Sequence, residues 1–358
     1  MISIKQDEEA RKMKQTNPYS LSFGKEPVSL IDREMQNSEI IESFTSDNPA
    51  FQVCMLTGVR GSGKTVAMTS IAKRLRSLKE WIVVDLNPER DLLTMFAAEL
   101  SNRRELFELF KDAKINLSFL GFGLEIDGVP PITDTVVALR RMLEKLTKSG
   151  KRVLVTIDEA SASKQFREFA SQFQIFMREG LDIFLLMTGL YENISAIQNE
   201  KALTFLYRAP KMELRPLNLR LIAKNYRESF GLEERDAADM AKLTMGYPFA
   251  FQLLGYLCWT RQVQWREALE EYDAYLAEYS YEKIWSECSE TDKRVLAAMA
   301  DVSSTKVQDV RSELGMASNV FSVYRDRLIK KGIVRSPSQG NVTFVLPRFR
   351  QYVASVVW

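Results

Sequence analysis

Eight consecutive residues, Gly58-Val59-Arg60-Gly61-Ser62-Gly63-Lys64-Thr65, satisfy every fixed position of the pattern G-x-x-x-x-G-K-[ST]. The chemistry of a phosphate cradle accounts for these residue types. Gly58, Gly61 and Gly63 lack Cβ atoms, so the backbone is free to curl and aim successive N–H groups at phosphate oxygens, helped by the positive end of the helix that follows. Lys64 is placed to reach β- and γ-phosphates, and the Thr65 hydroxyl suits Mg²⁺. Gly58, Val59, Arg60, Gly61, Ser62, Gly63, Lys64, Thr65 and Val66 are therefore the candidate contacts to ATP or ADP, with Arg60 expected to face solvent or a neighbour.

A second chemical feature lies about 95 residues on. Arg152 to Glu159 reads Arg-Val-Leu-Val-Thr-Ile-Asp-Glu, an apolar run delivering Asp158 and Glu159 at its C-terminal end. Asp158 is predicted to hold Mg²⁺ with Thr65, and Glu159 to orient and polarise the attacking water. A later apolar run, Asp182 to Thr188, ends in a hydroxyl that would sit between Glu159 and the γ-phosphate. The chain contains no histidine, which removes Ser-His-Asp and Cys-His catalysis, imidazole bases and His metal ligands together. Acid–base work falls to carboxylates, Lys or Tyr.

The elements that must position these groups alternate. Phe51 to Leu56 is a strand entering the glycine loop, and Val66 to Leu78 is a helix leaving it. Trp81 to Leu86 and Lys211 to Leu214 are further strands; Glu89 to Asn102, Thr133 to Thr147 and Lys164 to Arg178 are helices between them. Leu30 to Phe44 is an amphipathic helix that either closes over a nucleotide base or packs on the core. Ile115 to Ile126 is expected to be an inserted β-hairpin, its tip residues Phe119, Leu120 and Phe122 contacting a partner or folding back on the domain. The whole is an α/β fold: a parallel sheet sandwiched by helices over residues 28–216, after an extended, flexible lead-in over 1–27. A helical lid over 217–286 follows, punctuated by Gly246-Tyr247-Pro248.

Residues 287–358 change pattern. Three helical stretches, Thr291 to Ala300, Thr305 to Leu314 and Ser318 to Lys331, precede a hairpin of Ile333 to Arg335 and Val342 to Leu346, which reads as a winged helix. The chain's net charge of +2 conceals a basic C-terminus, since residues 288–358 hold 11 Lys+Arg against 6 Asp+Glu, a net of +5. Arg311, Arg325, Arg327, Lys330 and Lys331 are the candidates to face the phosphates of double-stranded DNA; a protein-contact role for the module stays open. Hydrophobic content of 46% and charged content of 27%, with Cys54, Cys258 and Cys288 far apart, describe an ordinary soluble protein of a reducing cytoplasm. Neither a signal peptide nor a membrane span is expected.

Together these motifs resemble the AAA+ ATPases, in the branch that holds the replication-initiator and origin-recognition ATPases and their archaeal and bacterial STAND-type relatives. The resemblance covers about residues 28–358 and rests on Gly58 to Thr65, Asp158-Glu159, Thr188 in the place of sensor 1, the lid with Gly246-Tyr247-Pro248 and the winged helix. It implies Mg²⁺-dependent hydrolysis of ATP to ADP and phosphate, with nucleotide state setting the angle between sheet domain and lid and so moving the winged helix. It also implies that Arg208, just before the last strand, acts as an arginine finger toward a neighbouring subunit in a homo-oligomer, with Arg215 as the fallback. One departure is plain: initiator-type ATPases usually carry a second-sensor Arg where this chain has Phe249, Ala250 and Phe251. That apolar form looks more like the STAND relatives, whose alternative implication is an ATP-bound regulatory switch that hydrolyses little and holds a protein partner through the winged helix.

Overall fold

The computed structural model describes residues 16–22, 27–31, 33–116 and 129–357. The hairpin expected at Ile115 to Ile126 lies outside the described residues apart from Ile115 and Asn116. By contact density the chain divides into two units, one of Arg33–Val59 and Lys64–Arg215, the other of residues 1–32, Arg60–Gly63 and Pro216–Trp358.

The first unit is built on five parallel strands, β1 (Val53–Thr57), β2 (Trp81–Leu86), β3 (Arg152–Ile157), β4 (Ile183–Gly189) and β5 (Lys211–Glu213), in the order β2-β3-β4-β1-β5. All residues of β1 and β4 are buried, as expected of strands covered on both faces. Alternation along β1 divides the core: Val53 and Met55 face helices Leu92–Ser101, Thr135–Lys148 and Lys164–Arg178, while Cys54 and Leu56 face helices Glu34–Thr45 and Lys64–Arg76. Helix Lys164–Arg178 shows why such a segment folds. Ser163 caps it by accepting from the Phe166 amide at 3.1 Å, and Phe166, Phe169, Ala170, Phe173 and Phe176 recur at helical spacing and are buried. Helix Glu34–Thr45 buries Ile40 and Phe44 in the sheet core, so this part of it packs as core.

The second unit is mostly helical. Helices Leu219–Phe230, Glu234–Leu243, Pro248–Arg261 and Leu269–Leu276 lead into a π-helical segment, Ala277–Tyr281, and a short helix, Glu282–Ser286. The helical run from Leu269 to Ser286 passes through this π-turn. Part of the lead-in expected over 1–27 packs into this unit. Tyr19 is buried among Tyr226, Phe230 and Phe251, its hydroxyl donates to Asn225 at 2.8 Å, and the Ser20 amide donates to Gln252 at 3.0 Å.

Helices Glu290–Asp301, Val307–Leu314 and Ser318–Lys330 follow, and then the antiparallel pair β6 (Val334–Arg335) and β7 (Thr343–Phe344). A last helix, Phe349–Val357, was not anticipated; it buries Phe349, Tyr352 and Val353. The C-terminal segment is tied to the helices before it. The Tyr281 hydroxyl donates to the Pro347 carbonyl, its ring meets Phe349 edge-on at 4.9 Å, and Arg348 pairs with Asp273. No helix among the described residues is long and apolar enough to cross a membrane.

Candidate nucleotide-binding site

The glycine loop follows β1 and the acidic pair follows β3, so both stand at the sheet edge where parallel strands end. Gly61 and Gly63 have φ of 71° and 84°, a left-handed backbone that costs an L side chain energy and glycine none. The Lys64 ammonium donates to the carbonyls of Gly58 at 2.9 Å and Val59 at 3.1 Å, which folds it back over its own loop. The Thr65 hydroxyl donates to the Asp158 carboxylate at 2.8 Å, joining residues 93 apart in sequence. These oxygen donors, a hydroxyl and a carboxylate, are of the kind that suits Mg²⁺. Gly58, Val59, Lys64, Thr65, Val66, Asp158, Glu159 and Thr188 belong to the sheet unit, while Arg60, Gly61, Ser62 and Gly63 group with the C-terminal unit.

Strand β4 runs between β1 and β3, and this decides where Thr188 acts. Thr188 is fully buried. Its hydroxyl donates to Asp158 Oδ1 and accepts from the Glu159 amide at 3.2 Å, and its carbonyl accepts from the Ala160 amide at 2.8 Å. Sequence reasoning put this hydroxyl between Glu159 and the γ-phosphate; in the structure it bonds to both residues of the acidic pair, because β4 is the strand next to β3. Glu159 is exposed and has φ of 53°, a strained conformation for a residue other than glycine, held by those bonds and by its amide's contact with Asp158 at 3.1 Å.

Asp158 also borders a cleft of about 220 Å³ beside helix Lys64–Arg76, lined in part by Thr69, Arg76, Asp85 and Thr156. The Asp85 carboxylate accepts from Thr156 and pairs with Arg76 at 3.0 Å. Nothing in the sequence singles out Asp85, because its strand position becomes informative only once β2 and β3 pair Asp85 with Thr156.

Arg208 is exposed at the end of a short helix, Thr204–Tyr207, and precedes β5. It stands on the side of the sheet where strands begin, whereas the loop and acidic pair follow the strands' ends. Arg215, also exposed, follows β5 and lies on the same side as the loop. Arg60 pairs with Glu287 at 3.1 Å. Tyr247, from the Gly246-Tyr247-Pro248 punctuation, is buried and donates its hydroxyl to the Arg60 carbonyl; burial pushes this phenol well above its ordinary range, so it remains a donor.

The basic C-terminal candidates divide. Arg327 forks onto Asp292, which is 1% exposed, through Nε at 3.0 Å and Nη2 at 2.6 Å, an ion pair that packs the third helix against the first. Arg325 pairs with Asp326 at 2.9 Å, and Lys331 donates to the Glu287 carbonyl at 3.1 Å. Lys330 stays exposed and Arg311 is half-buried. Lys306 and Arg335, which sequence reasoning passed over, are exposed, the Lys306 backbone bridging to Asn341 and Arg335 pairing with Thr343 between β6 and β7. On helix Ser318–Lys330, Val320 is 42% exposed and Val323 is 63% exposed.

Residues 278–353 match the model of a domain of unknown function, DUF8462. No curated protein matches the sequence. Among solved structures, the Walker-type ATPase of Pyrococcus abyssi superposes with a TM-score of 0.62 at 16% identity, covering 91% of this chain and 96% of its own. The ORC2 protein of Aeropyrum pernix, solved as ADPNP–ADP complexes, superposes with a TM-score of 0.59 at 15% identity over 94% and 96% of the two chains. The fold is thus the one those two proteins share, as the sequence resemblance implies.

Proposed function

We propose that this protein binds Mg²⁺·ATP at Gly58–Val66 with Asp158 and hydrolyses it to ADP and phosphate. The observation that carries this is the Thr65–Asp158 hydrogen bond at 2.8 Å, which brings the hydroxyl of the loop pattern and the strand-end carboxylate to one point. The likeness to a Walker-type ATPase and to a protein solved with ADPNP and ADP supports it at the level of fold.

The loop amides and Lys64 bind the phosphates, and Lys64 must leave the Gly58 and Val59 carbonyls to do so. Thr65 and Asp158 would hold Mg²⁺, which would supply charge neutralisation to the phosphates. Glu159 orients a water whose oxygen attacks the γ-phosphorus as the bond to the bridging oxygen breaks. Thr188 keeps both carboxylates in place through one hydroxyl. Where turnover needs a cation in trans, Arg208 or Arg215 supplies it in a homo-oligomer.

The winged helix is the output, carried with the lid to which Tyr281 and Arg348 tie it. Its first partner is duplex DNA, contacted through Lys306, Lys330 and Arg335. A second reading, a protein partner held by a slowly hydrolysing switch, is favoured by the exposed Val320 and Val323 on the third helix. A nucleotide-dependent binding assay of the purified protein on duplex DNA tests the choice. Binding that depends on ATP supports the first; absence of binding at low salt in every nucleotide state leaves the second.

A further inference from the structure

Residues 60–63 of the glycine loop are gripped from the C-terminal unit to which they belong. The Tyr247 hydroxyl meets the Arg60 carbonyl and the Ser280 hydroxyl, the latter at 2.8 Å. A carbonyl only accepts, so the phenol proton is committed to Arg60, and Ser280 must donate to the phenol oxygen. One residue along, the Phe249 amide donates to the Gly61 carbonyl at 3.2 Å. A Cβ on Gly61 would stand 2.2 Å from the Tyr247 hydroxyl oxygen, so glycine is required here by the ring as well as by φ.

In a trans peptide the C=O and the next N–H point in opposite directions. Holding the Arg60 and Gly61 carbonyls against Tyr247 and Phe249 therefore turns the amides of Gly61 and Ser62 away from them, the orientation an anion cradle needs. The contact continues. Ser280 lies in the π-turn Ala277–Tyr281, a geometry that recurs at functional sites, and the neighbouring Tyr281 hydroxyl donates to Pro347 at the root of the last helix.

We propose that Tyr247 is a positioning residue of the phosphate loop, orienting the Gly61 and Ser62 amides, and that Ser280 and Tyr281 pass the state of that contact to helix Phe349–Val357. This rests on the loop being the nucleotide site. Tyr247→Phe in the full chain removes one hydroxyl and keeps the ring. Losing the hydrogen bond weakens ADP binding, read by calorimetry, about three- to tenfold. Hydrogen exchange supplies the readout that a merely structural role would not move. In the parent, saturating ADP alters exchange of the amides in Phe349–Val357; in Tyr247→Phe, at ADP raised to saturation, that response is lost. Ser280→Ala, which leaves the Tyr247–Arg60 bond possible, loses the same response with a smaller change in affinity. A variant that binds ADP and keeps the parent's response overturns the relay while leaving the nucleotide site intact. A parent that binds no ADP overturns both, and is distinguished by that absence.

Discussion

Thr188→Val tests the brace beneath the acidic pair. The substitution keeps the shape of a fully buried side chain and deletes one hydroxyl, so Asp158 loses a donor and the Glu159 amide loses one of its two acceptors. A hydrogen bond to a charged acceptor is worth about 1.5–3 kcal/mol. Asp158 keeps the Thr65 hydroxyl at 2.8 Å and the Glu159 amide at 3.1 Å, which places the loss at the lower end, about 1.5 kcal/mol. Because the bond acts on Asp158 and Glu159 rather than on the loop amides, the loss belongs to the chemical step, roughly a tenfold fall in kcat. Phosphate release at saturating Mg²⁺·ATP measures it, with calorimetry of ADP without Mg²⁺ as the control, where affinity stays within about twofold of the parent. Turnover equal to the parent, or a matching loss of Mg²⁺-free ADP binding, refutes the assignment of Thr188 to the acidic pair.

Lys64→Ala should abolish ATP binding, while Glu159→Gln should keep binding and lose turnover; calorimetry and phosphate release separate the two, and near-normal affinity in Lys64→Ala would count against the loop as the site. Arg327→Leu leaves the Asp292 carboxylate buried without its fork, a loss of about 2–4 kcal/mol after allowing for the 40% exposure of Arg327, seen as faster native-state hydrogen exchange across Glu290–Asp301 and Ser318–Lys330; unchanged exchange would show the pair to be incidental. If turnover needs a cation in trans, specific activity rises with protein concentration, and Arg208→Ala or Arg215→Ala flattens that rise without weakening ATP binding; activity independent of concentration rejects both. Replacing Lys306 and Lys330 together should weaken duplex binding by the full chain for all sequences alike and lower the salt slope by up to about 2 units, and an unchanged slope would place the DNA contacts elsewhere.

Local rules account for much of what was legible. The bounds of β2, β3 and helix Lys164–Arg178 follow from apolar runs and from phenylalanines at helical spacing, because burial of one face is written directly in residue order. The glycine loop and the strand-end acidic pair are equally local, since steric freedom and carboxylate chemistry belong to the residues themselves. Tertiary structure decided which of these groups touch. Thr188 became a brace only because β4 pairs beside β3, and Arg327 became a structural ion pair only because helix packing buried Asp292. Tyr19 and Tyr247 looked like a lead-in residue and a piece of turn punctuation until their partners, more than 180 positions away, were known. A hydrogen bond of this kind depends on distance in space, and sequence order carries no term for it.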